Sequence, residues 1–173
     1  EVVIDLDPGM AFGTGTHAST RLVLEELQAL ADAGVTPARI LDVGCGSGIL
    51  AIAAVKRWPG ATAVAVDNEP IAIAATIENA ATNRVADRID ASTKALGEID
   101  ETFPVVLANI QAHVLRALKE PLIAHTAGTL VLSGLLTPQA APLADEFVAA
   151  GLRLVGIRPS ADDPQWSSAV LSR

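Results

Sequence analysis

The sequence predicts an α/β fold, a mostly parallel sheet of seven strands with helices on both faces and an antiparallel hairpin at one edge. Three observations predict it. Short apolar, β-branched runs alternate with helix-spaced apolar positions along almost the whole chain. The glycine-rich segment Asp42-Val-Gly-Cys-Gly-Ser-Gly48 follows the apolar pair Ile40-Leu41 and leads into a helical pattern, the signature of a strand, a tight turn and a helix. The last two apolar runs are joined only by the link from Pro159 to Pro164, whereas a parallel crossover needs about a dozen residues.

Each element has its own justification. Val23, Leu27, Leu30 and Ala31 have helical spacing; Ser19 or Thr20 can cap the start, and Gly34 stops the pattern before Thr36-Pro37. Ile40-Leu41 is the first strand. Ile49, Ile52, Ala53 and Lys56 carry a second helix to about Trp58, where Pro59-Gly60 breaks it. Thr62 to Val66 reads as a strand ending at Asp67, and a helical stretch runs from Glu69-Pro70 through Asn83. Ile89 to Ser92 is a weak strand and Val105 to Ala108 a strong one. A helix from about His113 to His125 is expected to kink or split at Pro121. Thr129 to Ser133 is the next strand, Thr137-Pro138 opens a last helix ending at Gly151, and strands near Leu152 to Arg158 and Ser167 to Leu171 close the chain.

At 173 residues and 50% hydrophobic, the sequence fits one domain, 1–173, with a substantial core. No apolar stretch approaches the roughly 20 residues that span a bilayer. No basic segment followed by an apolar one opens the chain, and Glu1-Val-Val-Ile-Asp5 reads as a strand instead of a signal peptide. The single Cys45 cannot form an intrachain disulfide and is compatible with a reducing, cytoplasmic setting. A net charge of −8 with twelve scattered Lys and Arg argues against nucleic acid as a direct partner. The acidity would suit a basic protein substrate, although net acidity more commonly just keeps a protein soluble. His113 and His125 have no cysteine or acidic partner at ligand spacing, so no metal is expected.

The chemistry concentrates on the glycine turn. In an open parallel sheet, ligands bind outside the carboxyl ends of the strands, where this turn sits. Asp67 ends the next strand at the distance expected of a carboxylate that holds a ribose diol; the other reading is a cap on the following helix. The dinucleotide fingerprint is Gly-x-Gly-x-x-Gly, but here Gly44, Gly46 and Gly48 bring the third glycine one residue early and Ile49 occupies its usual place. With Asp42 ahead of it, that spacing is the one associated with S-adenosylmethionine. Asp42 would meet the cofactor's amino group or make a structural hydrogen bond to the turn. Two further segments stand out. Asp7-Pro-Gly-Met-Ala-Phe-Gly-Thr-Gly-Thr-His17 has no helix or strand period and is of the kind that lines or covers a ligand. Asn109-Ile-Gln-Ala112 follows the strong fourth strand and places Asn109 where the reactive end of a cofactor must lie.

Those two segments, the Asp42–Gly48 turn continuing as Ile49-Leu-Ala-Ile-Ala53, and Leu132-Ser-Gly134 together resemble the PrmA family, methyltransferases of the eleventh protein of the large ribosomal subunit. The resemblance runs in order over nearly the whole chain. It implies a Rossmann-like class I fold and methyl transfer from S-adenosylmethionine to protein amines, chiefly lysine ε-amino groups and an N-terminal α-amine. On it, residues 1–34 would be a cofactor-covering segment and helix, and 35–173 the sheet core. Phe12, Gly13 and Thr14 would lie over the cofactor's methionine end, Gly44, Gly46 and Gly48 beneath its backbone, and Asp67 at the ribose. Asn68 and Ser92 are set beside the adenine by sequence position alone. Asn109 would face the methyl-transfer site, with the carbonyl of Asn109 or Ile110 accepting an N–H from the target amine. His17 would either assist deprotonation of that amine or hydrogen-bond the loop, the second reading being favoured.

Two departures accompany the resemblance. Gln111 stands where the family more often has Leu, and the family's N-terminal substrate-recognition domain is missing from this sequence, which is then a fragment or a relative with another substrate. Two readings from other classes stay open at this point. A nicotinamide-dependent oxidoreductase would share the turn and Asp67 but not the glycine spacing. A non-catalytic adenosylmethionine-binding module would have no need of Asn109. Cys45, inside the turn, reads as a small packing residue and not a nucleophile.

Overall fold

The structure, a computed structural model, describes residues 2–6 and 16–173. Among the described residues thirteen α-helices and strands follow one another: α1 Ala18–Asp32, β1 Arg39–Val43, α2 Ile49–Arg57, β2 Thr62–Val66, α3 Pro70–Thr82, β3 Ile89–Ser92, β4 Phe103–Asn109, α4 Ala112–Ala117, α5 Lys119–His125, β5 Thr126–Leu136, α6 Thr137–Ala149, β6 Arg153–Pro159 and β7 Trp166–Ser172. The seven strands form one sheet in the order β3-β2-β1-β4-β5-β7-β6. Pairs from β3 to β5 are parallel, and β7 runs antiparallel to both β5 and β6.

Alternate strand residues feed two cores. Ile40, Ala63, Ala65, Val105, Leu107 and Val131 pack with α1, α2 and α3, while Leu41, Val43, Val106, Ala108, Leu130 and Leu132 pack with α4, α5 and α6. The inner strands are apolar on both sides because both faces are covered. In β1 and β2 the last four residues are all buried.

Three details differ from the sequence reading. Residues 2–6 are not a strand; their backbone bonds to side chains instead, Asp5 exchanging two hydrogen bonds with the Asn83 amide (3.0 and 2.6 Å) while Lys56 donates to the Val3 carbonyl. β-branched composition alone gave these residues a strand, but it does not say what their backbone will pair with, and here the partners are side chains. The cap of α1 is His17, whose Nδ1 accepts from the Ser19 N–H at 3.2 Å; Ser19 and Thr20 lie inside the first turn and are buried. The helix before β5 does split, but at Leu118, so that Pro121 falls in the first turn of α5, where a missing N–H costs nothing.

Because β7 is antiparallel, its first residue pairs with the carboxyl end of β5, Leu136 against Trp166. One edge of the sheet therefore collects the glycine turn after β1, Asp67 after β2, Ser92 on β3, Asn109 on β4, Ser133 to Leu136 on β5, and Trp166 with the preceding 160–165 link.

Candidate active site

The turn begins where β1 leaves the sheet. The Val66 carbonyl accepts from the N–H groups of Gly44 and Cys45 (2.8 and 3.1 Å), fastening the turn to the end of β2. Gly44, Gly46 and Gly48 have φ of 74°, 54° and 80°, the left-handed region that side chains resist. Space matters as well. A Cβ on Gly44 would lie 2.4 Å from Cγ2 of Ile110, and one on Gly48 would lie 2.8 Å from Cγ2 of Thr76. At these two positions the room that glycine leaves is taken by the protein itself, so the turn is gripped between the tail of β4 and α3. Thr76 Oγ1 donates to the Gly46 carbonyl (3.1 Å) and Asn79 Nδ2 to the Ser47 carbonyl (2.9 Å), both from buried positions on α3.

Two carboxylates flank the turn in different environments. Asp67, half-buried, accepts from the Gly46 N–H through Oδ2 and from the Glu69 N–H through Oδ1, each at 3.0 Å. Glu69, not Asp67, is the cap residue of α3. Each Asp67 oxygen keeps a second lone pair for a hydroxyl. Asp42 is 1% exposed beneath the turn, and its Oδ2 accepts from the Ala51 N–H in the first turn of α2 at 3.1 Å. Its Oδ1 is buried with no partner among the described residues. Burial raises the Asp42 carboxyl to about 7; the Ala51 N–H works against that rise and the nearby Asp67 charge adds to it. Of the two roles read for Asp42, its observed bond is structural, and it goes to α2 and not to the glycine turn. Asn68 is exposed after Asp67, and Ser92 is half-buried at the end of β3, its carbonyl 3.4 Å from the Asp67 nitrogen. The buried Cys45 thiol is pushed up to about 12, chiefly by burial and then by Asp42, so it stays protonated.

Asn109 ends β4, and its Nδ2 donates to Thr20 Oγ1 of α1 at 3.3 Å. Ile110 follows with its side chain toward Gly44 and its backbone against Gly134; a Cβ on Gly134, at φ 75°, would lie 2.7 Å from the Ile110 carbonyl oxygen. Only glycine lets the two backbones come this close. The buried Ser133 hydroxyl donates to the Ser19 carbonyl at 2.8 Å, tying β5 to the same turn of α1. His17 stacks edge-on against Trp166, ring centroids 4.6 Å apart. Gln111 is exposed, its carbonyl starting α4.

The structure thus brings Asp42, Gly44, Gly46, Gly48, Asp67, Asn68, Ser92, Asn109 and Ile110 to one sheet edge; Phe12, Gly13 and Thr14 lie outside the described residues. Sequence reading gave no part in the site to Thr76 and Asn79, while Thr20 entered only as a helix cap and Ser133-Gly134 only as a segment of the resemblance. A signal existed for two of them, since Thr76 and Asn79 fall on the same inward face of α3 as Ala72, Ile73 and Ala80. Among the described residues no group of three His, Cys, Asp or Glu could hold a metal, and no helix is long and apolar enough to cross a membrane.

A seven-stranded sheet of this order, with a glycine turn after its first strand and its antiparallel strand next to the edge, defines the class I methyltransferase fold. The NodS N-methyltransferase from Bradyrhizobium japonicum, solved with S-adenosyl-L-homocysteine, has it too, with a TM-score of 0.69 over 91% of this chain and 89% of that one at 15% identity. The chain belongs to the ribosomal protein L11 methyltransferase (PrmA) family, whose model matches residues 1–173. The ribosomal protein L11 methyltransferase of Citrifermentans bemidjiense is 43% identical over 172 residues, 96% of this chain and 54% of the relative. The structure of a ribosomal protein L11 methylase from Lactobacillus delbrueckii superposes with a TM-score of 0.84 at 33% identity, over 98% of this chain and 84% of that one. The chain spans about half the length of the curated relatives it matches.

Proposed function

We propose that this chain is the catalytic domain of an S-adenosylmethionine-dependent N-methyltransferase that acts on amines of a basic protein, ribosomal protein L11, in the cytoplasm. The observation that carries the reading is the abutment of two segments. Asp67 is bonded to the glycine turn through the Gly46 N–H, and Ile110, next to Asn109, packs against the same turn at Gly44. Bound S-adenosylmethionine supplies an electrophilic methyl group on a sulfonium.

This chain's residues supply placement. Gly44, Gly46 and Gly48 give the turn its shape, Asp67 accepts from the ribose hydroxyls, and Asn68 and Ser92 border the adenine. Phe12, Gly13 and Thr14, within residues 1–34, cover the methionine end. Asp42 supports the turn from beneath through the Ala51 N–H, and its unpartnered Oδ1 is the atom left to meet the cofactor's amino group directly or through water. The carbonyl of Asn109 or Ile110 accepts an N–H of the target amine, aligning its lone pair with the methyl carbon about 3 Å away. Desolvation of the amine favours its neutral form, so no dedicated base is required. His17 serves as the α1 cap.

Calorimetric titration should give micromolar binding of S-adenosylmethionine and its demethylated product and none of NAD. Tritiated methyl transfer should label L11, and Asn109→Ala should lower the rate at least tenfold. Binding of NAD alone, or full activity of Asn109→Ala, would sink the reading.

A further inference from the structure

We propose that Asn83 is a positioning residue for the cofactor, tying residues 3–5 to the glycine turn through α3. The inference rests on the function proposed above.

Asn83 follows α3, is 6% exposed, and uses its side-chain amide completely. Oδ1 accepts from the Asp5 N–H at 3.0 Å and from Lys56 Nζ at 2.9 Å, while Nδ2 donates to the Asp5 carbonyl at 2.6 Å and to the Asn79 carbonyl at 2.8 Å. A lysine only donates and a carbonyl only accepts, so these partners permit one orientation of the amide. The two bonds to Asp5 give its backbone the pairing that a neighbouring strand would give. Lys56 of α2 adds a bond to the Val3 carbonyl, and Ile4 and Leu6 pack against the core.

The same stripe of α3 reaches the glycine turn. Thr76, Asn79 and Asn83 recur at intervals of three and four, which puts them on one side of the helix. Thr76 and Asn79 donate to the Gly46 and Ser47 carbonyls, and the Asn79 carbonyl accepts from Asn83. Buried polar side chains are costly unless paired, and the pairs made here run without a break from the turn to Asp5. In sequence Asp5 leads to Phe12-Gly13-Thr14, the residues proposed above to cover the cofactor's methionine end. Released at Asp5, those residues would be in place for only a fraction of the time, and apparent affinity falls by that fraction. Turnover at saturating cofactor depends on the Asn109 end of the site and is left nearly as it was.

Asn83→Ala should raise the S-adenosylmethionine dissociation constant about tenfold and change kcat at saturating cofactor by less than about twofold. Lys56→Met keeps the stem of a half-buried side chain and loses the bonds to Asn83 and Val3; it should raise the constant about threefold, and it decides the matter if Asn83→Ala does not fold. Arg158→Met, on the edge strand β6, should leave the constant within about twofold of wild type, which separates positioning from loss of stability. Amide hydrogen exchange gives a readout without turnover. The Asp5 N–H should exchange faster in Asn83→Ala, and saturating S-adenosylmethionine should slow it in wild type, because coupling is reciprocal. Unchanged dissociation constants in Asn83→Ala and Lys56→Met, an equal rise in Arg158→Met, or Asp5 exchange indifferent to cofactor would each overturn the proposal alone. Wild type that bound no S-adenosylmethionine would remove the functional reading and the proposal together.

Discussion

Asp42 shows what the residue scale adds to a motif. Its place ahead of the glycines is legible in the sequence, but which atom it touches is not, because a 3.1 Å bond to Ala51 depends on how α2 leaves the turn. The same holds for Asn109, placed at the sheet edge by strand order yet hydrogen-bonded to a residue 89 positions away. Burial has a thermodynamic consequence at Asp42. Its carboxyl stands at about 7 in the folded protein against 3.8 for the free side chain. Between those values the native state holds a proton that the unfolded chain has lost, so stability falls as pH rises through that window. Measured by urea unfolding, wild type should lose stability relative to Asp42→Asn from about pH 4 to pH 7 and run parallel to it above.

Elements were the most readable level. Periodicity and breakers placed every helix and strand of the sheet, since apolar spacing reports directly on which face is buried. What escaped was the cap of α1, because Ser and Thr are the expected caps and tertiary contacts had already claimed Ser19 and Thr20. His17 caps in their stead, with its ring held against Trp166. His17→Ala should lower the thermal midpoint by about 2–4 °C, and His17→Ser should recover most of it through a hydroxyl cap. Equal midpoints for wild type and His17→Ala would show that the cap adds nothing. The strand read at Glu1 to Asp5 failed over its described residues for a related reason: composition records a preference for extended backbone but not the presence of a neighbour to pair with.

For the whole molecule, the link between the α1 layer and the antiparallel end of the sheet is a buried carboxylate. Glu26, 6% exposed on α1, accepts from Arg158 Nε of β6 and Ser168 Oγ of β7, both at 2.9 Å. No sequence pattern announces it, as its partners lie 132 and 142 residues away. Removing the cation by Arg158→Met would leave that carboxylate to the Ser168 hydroxyl, and the denaturation midpoint should correspond to a loss of about 1–3 kcal/mol, whereas Arg153→Met on the same strand should cost under about 1 kcal/mol. Comparable losses for the two variants would remove Glu26 from the account. Fold order carries a final consequence. β7, the last of the described strands in sequence, lies between β5 and β6, with its central five residues buried. A nick or truncation there would not shave a margin. It would pull out a keystone, detaching β6, baring the flank of β5, and taking Trp166 from beside His17 in a single event.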